Sequence, residues 1–206
     1  MAGARGERTR ARLLEAARHA FVDVGWSRAR VEDVCRTAGV GHGTFYGYYA
    51  NKADVLEALV RQHAANLNIL LEAEWTSGNL RADVRRVIDG FVEQSARDAD
   101  VRAVWLAAAT CEPALAALVD EVRAQFVERI RANLAAALCA GTARPDLDVD
   151  IAAHALAAMV EQTVTLAQRP GAGRPDPGPH PGRHHPDRAR LVDGLTDLWV
   201  HAVYRS

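Results

Sequence analysis

Apolar residues recur along nearly the whole chain at three- and four-residue steps, the spacing that lines up one face of a helix. Leu13, Leu14, Ala17, Phe21 and Val24 make the first such face, and Gly25 follows as a helix-terminating residue. A short second helix is predicted from about Val31 to Ala38, where Gly39 stops it, and a third from about Gly43 to Tyr48. Asn51 reads as the N-cap of a long fourth helix carrying Val55, Leu56, Leu59, Val60, His63 and Leu67. After a break at Thr76–Asn79, helices are predicted at about 80–97, 101–109, 113–139, 148–168 and 187–204. In the longest, Leu115, Leu118, Val119, Val122, Phe126, Ile130 and Leu134 form one stripe, and Pro113 suits a first turn where its missing N–H costs nothing.

Alternating strand-type runs are absent, so the expected fold is all-α with about nine helices. The expected division is a small N-terminal three-helix domain over 1–51 and a larger helical domain over 52–206. One stretch cannot join either core. Arg169–His185 is dominated by Pro, Gly, Arg and His, which predicts a flexible loop over about 169–186.

Composition narrows the class. Hydrophobic residues make up 49% and charged residues 25%, the balance of a soluble globular protein. No apolar run is long enough to span a bilayer, and the polar, arginine-rich first dozen residues lack the apolar stretch of a signal peptide. Cys35, Cys111 and Cys139 are too widely spaced for a disulfide framework or a zinc pattern, so a reducing cytoplasm is the expected setting. The net charge of −1 conceals an asymmetry. Residues 1–52 hold nine Lys/Arg against five Asp/Glu, whereas the remainder is acidic, which hints that the basic end meets a polyanion.

Within that basic end, Val31–Ala38 and the segment from Gly43, joined through Gly39 and Val40, have the proportions of a helix-turn-helix. Gly39 sits where the turn demands positive φ, and Val34, Ala38, Val40 and Phe45 supply the small apolar contacts between the two helices. The second helix would then expose His42, Thr44, Tyr46, Gly47 and Tyr48 to a major groove. This accounts for four aromatic rings (Phe45, Tyr46, Tyr48, Tyr49) in five positions: some pack, and the others present hydroxyls.

With its first helix ending Phe21-x-x-x-Gly25, its turn glycine, and "GTFYGYYANKADVL" from Gly43 to Leu56, the segment resembles the DNA-binding domain of TetR-family bacterial transcriptional regulators over about residues 8–60. The resemblance implies DNA contacts at Thr44, Tyr46, Tyr48 and Lys52, with His42 and Gly43 at the leading end of the recognition helix. Two positions depart from the family pattern. Arg30 stands where Thr or Ser usually caps the second helix, and it can bind phosphate itself. Gly47 stands where a larger base reader is common, which narrows direct readout.

The resemblance further implies a homodimer on palindromic double-stranded DNA and an unidentified small-molecule effector. The last two helices are expected to form the dimer interface through two stripes: Ile151, Ala155, Leu156 and Met159, and Leu191, Leu195, Leu198, Trp199 and Ala202. Candidate pocket residues are Leu67, Leu71, Trp75, Phe91, Trp105, Phe126 and Met159. No cofactor or metal is expected: His180, His184 and His185 sit in the proline-rich stretch without the rigid surroundings a metal site needs. Cys111 and Cys139 are expected to be inert core thiols rather than redox sensors. Arg5, Arg8, Arg10 and Arg12 read as a solvated tail or as an arm following the minor groove. No catalytic constellation is present in the pattern. The expected function is a cytoplasmic, ligand-responsive repressor; an activator or thiol-triggered regulator is the alternative, and a ligand-binding protein without DNA function or an enzyme on a helical scaffold lies outside that class.

Overall fold

The computed structural model describes residues 2–72, 79–168 and 187–204. Nine helices run through them: α1 (Ala2–Val24), α2 (Val31–Ala38), α3 (His42–Tyr46), α4 (Lys52–Glu72), α5 (Leu80–Arg97), α6 (Ala99–Ala109), α7 (Pro113–Cys139), α8 (Val149–Ala167) and α9 (Arg188–Val203). The fold is all-α, with one isolated antiparallel bridge, Ala143 to Tyr204, among the described residues. Trp75 and the stretch 169–186, with its three histidines, lie outside them, as does the side chain of Leu71.

Local chemistry sets the helix ends. Gly39 takes φ 62° and ψ 41°, a left-handed conformation that costs a Cβ-free residue nothing. Its N–H reaches the Arg36 carbonyl at 3.2 Å while Val40 N–H reaches Cys35 at 3.0 Å, so the last carbonyls of α2 are satisfied. At the start of α4, Asn51 Oδ1 accepts from the N–H groups of Ala53 (2.7 Å) and Asp54 (3.0 Å). Asp148 and Asp187 cap α8 and α9 in the same way, accepting from Ile151 N–H at 3.0 Å and Arg190 N–H at 2.8 Å.

Packing groups the chain into two compact units, Met1–Ala65 with Asp98–Arg123, and Asn66–Arg97 with Ala124–Ser206. The first has a core of Leu13, Phe21, Val34, Phe45, Val55 and Leu56, all essentially closed to solvent. Each such side chain contributes roughly 1.5–3 kcal/mol by leaving water. Val55, Leu56, Leu59 and Val60 build the first half of α4 into this unit, and Leu115 and Leu118 add the first turns of α7.

The second unit closes around Val84, Ile88, Ile130, Leu134, Val164 and Val192. Ion pairs hold α5 to α9: Arg85 to Asp193 at 2.8 Å, Arg81 Nε to Asp197 at 3.1 Å, and Arg188 to Asp89 at 2.9 Å and Glu93 at 3.2 Å. Such partly exposed pairs are each worth only about 0–1 kcal/mol, so they set register more than stability.

This packing corrects two expectations. Leu156, Leu191, Leu195 and Trp199 are buried in the core of their own unit and are not a free surface for a second copy. The stripes read from spacing combined inward and outward positions of α8 and α9. Outward stand Ile151, 69% exposed, with Ala155 on α8, and Leu198, 60% exposed, with Ala202 on α9; Met159 is half-buried. Cys111 and Cys139 are exposed rather than core, whereas Cys35 is buried and its thiol is pushed up by that burial, with a smaller contribution from Glu32.

Candidate nucleic-acid interface

The site begins with Phe45. It has no exposed surface, and its ring sits 5.5 Å from Tyr46, edge-on at 88°, and 5.9 Å from Tyr49. That anchor fixes the rotation of the short α3 against α2 and turns its other residues outward. His42, Gly43 and Thr44 are exposed, Tyr46 is 56% exposed and Tyr48 39% exposed. The rings of His42 and Tyr46, one helical turn apart, are 6.4 Å apart. Tyr49 has the opposite fate: it is buried, and its hydroxyl has no hydrogen-bond partner. Two of the three tyrosines in this stretch therefore carry hydroxyls to the surface on a fixed backbone.

Gly47 serves the backbone here. A Cβ there would stand 3.3 Å from the Thr44 carbonyl oxygen, so the turn out of α3 favours a residue without one. At Arg30, where a hydroxyl cap is missing, the helix keeps the reciprocal bond: Asp33 Oδ2 accepts the Arg30 backbone N–H at 2.9 Å. The Arg30 side chain is left exposed at the head of α2, free to meet phosphate.

Lys52 departs most from the sequence reading. Its Nζ donates to the Trp26 carbonyl at 2.8 Å and the Ala29 carbonyl at 3.1 Å, and lies 4.4 Å from the centroid of the Trp26 ring. Two of its three donors thus tie the α1–α2 turn to the head of α4. A cation over an indole face adds attraction. This clamp had no signal in spacing, because its partners are backbone carbonyls more than twenty residues away.

A polar cluster around buried His63 also escaped the sequence reading. His63 Nδ1 lies 2.6 Å from Asp98 Oδ2 and its ring packs 4.9 Å from that of Trp105, while Arg18 reaches Asp98 at 3.2 Å and Asp100 at 2.8 Å. Trp105 therefore belongs to the first unit's core beside His63. It does not line the void of the second unit. That void, about 10 Å³, is walled by Leu67, Val87, Ile88, Phe91, Phe126, Val160 and Trp199. It gathers Leu67, Phe91 and Phe126 of the expected pocket but not Met159, which packs nearby against the core. No group of three or more potential metal ligands occurs among the described residues, and no described helix is long and apolar enough to cross a membrane.

A short helix pinned by one buried aromatic, with polar groups outward and a glycine turn before it, defines a helix-turn-helix protein. Residues 13–59 match the model of the tetR family of bacterial regulatory proteins. Over that segment the chain is similar to the DNA-binding part of that family. It is 39% identical over 92 residues to the transcriptional repressor LfrR of Mycolicibacterium smegmatis, covering 44% of this chain and 47% of that one. It is 30% identical over 101 residues to the regulator BetI of Pectobacterium carotovorum, covering 48% of this chain and 52% of that protein. The matched stretch is about half the length of these curated relatives. Over nearly the full chain the fold is similar to that of SmeT in a triclosan complex, with a TM-score of 0.76, 21% identity, and coverage of 97% of this chain and 93% of that one.

Proposed function

We infer that this protein is a sequence-specific DNA-binding transcriptional regulator, acting as a repressor that a small apolar or amphipathic effector releases from a palindromic operator. The observation that carries this is the outward set Thr44, Tyr46 and Tyr48 on a helix fixed by fully buried Phe45. Phosphate contacts from Arg30 position that helix, and base-edge contacts from its side chains specify sequence. One such helix reads one half-site, so tight binding calls for two copies. The exposed Ile151, Ala155, Leu198 and Ala202 supply apolar surface suited to that pairing. No catalytic role is assigned to any residue.

The effector's place is the void around Phe91, Phe126 and Trp199, where the Phe rings stand 5.3 Å apart. At about 10 Å³ it has room for little more than a water, so a ligand enters only as a wall moves, and Phe126 is half-buried. The Trp199 Nε1 is buried without a partner and offers an incoming acceptor one donor. SmeT forms a complex with triclosan, which supports an aromatic small molecule as the effector here. Leu67, which lines the void, and Lys52, which clamps the α1–α2 turn, lie on one continuous helix, α4. A ligand that favours a displaced α4 would shift the population away from the DNA-competent form. Selection of genomic fragments by the purified chain tests the reading: recovery of a discrete promoter region supports it, and uniform recovery of all fragments contradicts it.

A further inference from the structure

The arginines ahead of the family match, which begins at residue 13, are built into α1 as an ordered helix face. At about 100° per residue, Arg5, Arg8 and Arg12 fall within about 60° of one another, and Arg10 lies about 140° or more from each. Contacts fix where the two sides look. The Arg12 guanidinium donates to the Ala38 carbonyl, at the turn between α2 and α3. Arg10 instead lines a groove of about 710 Å³ with Glu7, Asp54 and Glu57, on the α4 side of α1. Between the two sides, a Cβ on Gly6 would stand 3.6 Å from the Tyr48 hydroxyl oxygen, so the start of α1 runs beside the exit of the recognition helix. The side chains of Arg5 and Arg8 are exposed and have no hydrogen-bond or ion-pair partner among the described residues.

The geometry points to a second DNA contact, in which Arg5 and Arg8 clamp backbone phosphates flanking the half-site that α3 reads. This rests on the DNA-binding reading above and extends its footprint. Arg12 is the hinge point of the stripe, held to the helix-turn-helix turn, and Arg5 lies about 10 Å further along the axis. Guanidinium forks match phosphate oxygens, and a rigid helix loses less freedom on binding than a loose arm does. The contact carries no base information, so it strengthens operator and non-operator binding alike.

The test compares two variants with the parent on one duplex, the promoter fragment that the parent selects. Arg5→Gln/Arg8→Gln removes two cations from the stripe, and Arg10→Gln removes one from the other face; glutamine keeps helix propensity in all three. Fluorescence anisotropy across a salt series reads the number of phosphate contacts, at about 0.9 in the log–log slope per contact. The expected result is a slope reduced by about 1.8 and affinity lowered on the order of tenfold for the double variant on operator and scrambled duplex alike, with Arg10→Gln at parent values. A double variant with the parent slope overturns the proposal, as does Arg10→Gln lowering the slope by the same amount per charge. A parent that binds no duplex removes the DNA-binding reading itself, and the clamp with it.

Discussion

The Lys52 ammonium lies 4.4 Å from the centre of the Trp26 ring and 2.8 Å from the same residue's carbonyl oxygen. One side chain therefore grips both faces of the turn that delivers α2, and with it α3, to the surface. Lys52→Ala is expected to lower stability by about 1–2 kcal/mol, with a matching fall in melting temperature, because two charge-assisted bonds and the ring contact are lost together. The salt slope of DNA binding should change by less than one phosphate contact's worth. A full loss of about 0.9 in slope at unchanged melting temperature would return Lys52 to the DNA surface.

Leu198 and Trp199 are sequence neighbours with opposite environments, 60% and 5% exposed respectively. Leu198→Arg should leave helical content intact and shift sedimentation towards monomer, since it places charge on the outward face of α9. Trp199→Asp should unfold the second unit, because burying a carboxylate there costs several kcal/mol. Circular dichroism beside sedimentation separates the two. A folded, dimeric Leu198→Arg would remove this face from the interface.

Burial pushes the Tyr204 phenol from its ordinary 10.0 up to about 12. Its folded-state proton is held more tightly than in the unfolded chain, so its stabilising contribution is complete below pH 10 and is lost as pH rises towards about 12. Tyr204→Phe cannot ionise and should flatten the decline in urea midpoint across that window. An identical decline in the variant would assign alkaline sensitivity elsewhere.

The helices were legible because their signals are local. Asn51 and Gly39 stand where a cap and a stop were expected, and the boundaries of α5 and α7 coincide with the predicted spans. The orientation of Phe45 followed from the motif for the same reason. Periodicity alone could not tell which apolar face of α8 or α9 turns inward, since Leu156 and Trp199 on one side and Ile151 and Leu198 on the other are equally hydrophobic. Nor could it show that Lys52 spends its donors on Trp26 and Ala29, or that His63 meets Asp98, because those partners are distant in sequence and joined only by the fold.

The central claim is that α3 reads sequence, and the ratio of operator to scrambled-duplex affinity measures that directly. With Tyr46→Ala, this ratio should fall by about 1–3 kcal/mol, or roughly 5- to 150-fold, while scrambled-duplex affinity and its salt slope stay at parent values. An unchanged ratio in Tyr46→Ala and in Thr44→Ala, measured on the fragment the parent selects, would contradict the assignment of α3 as the recognition helix.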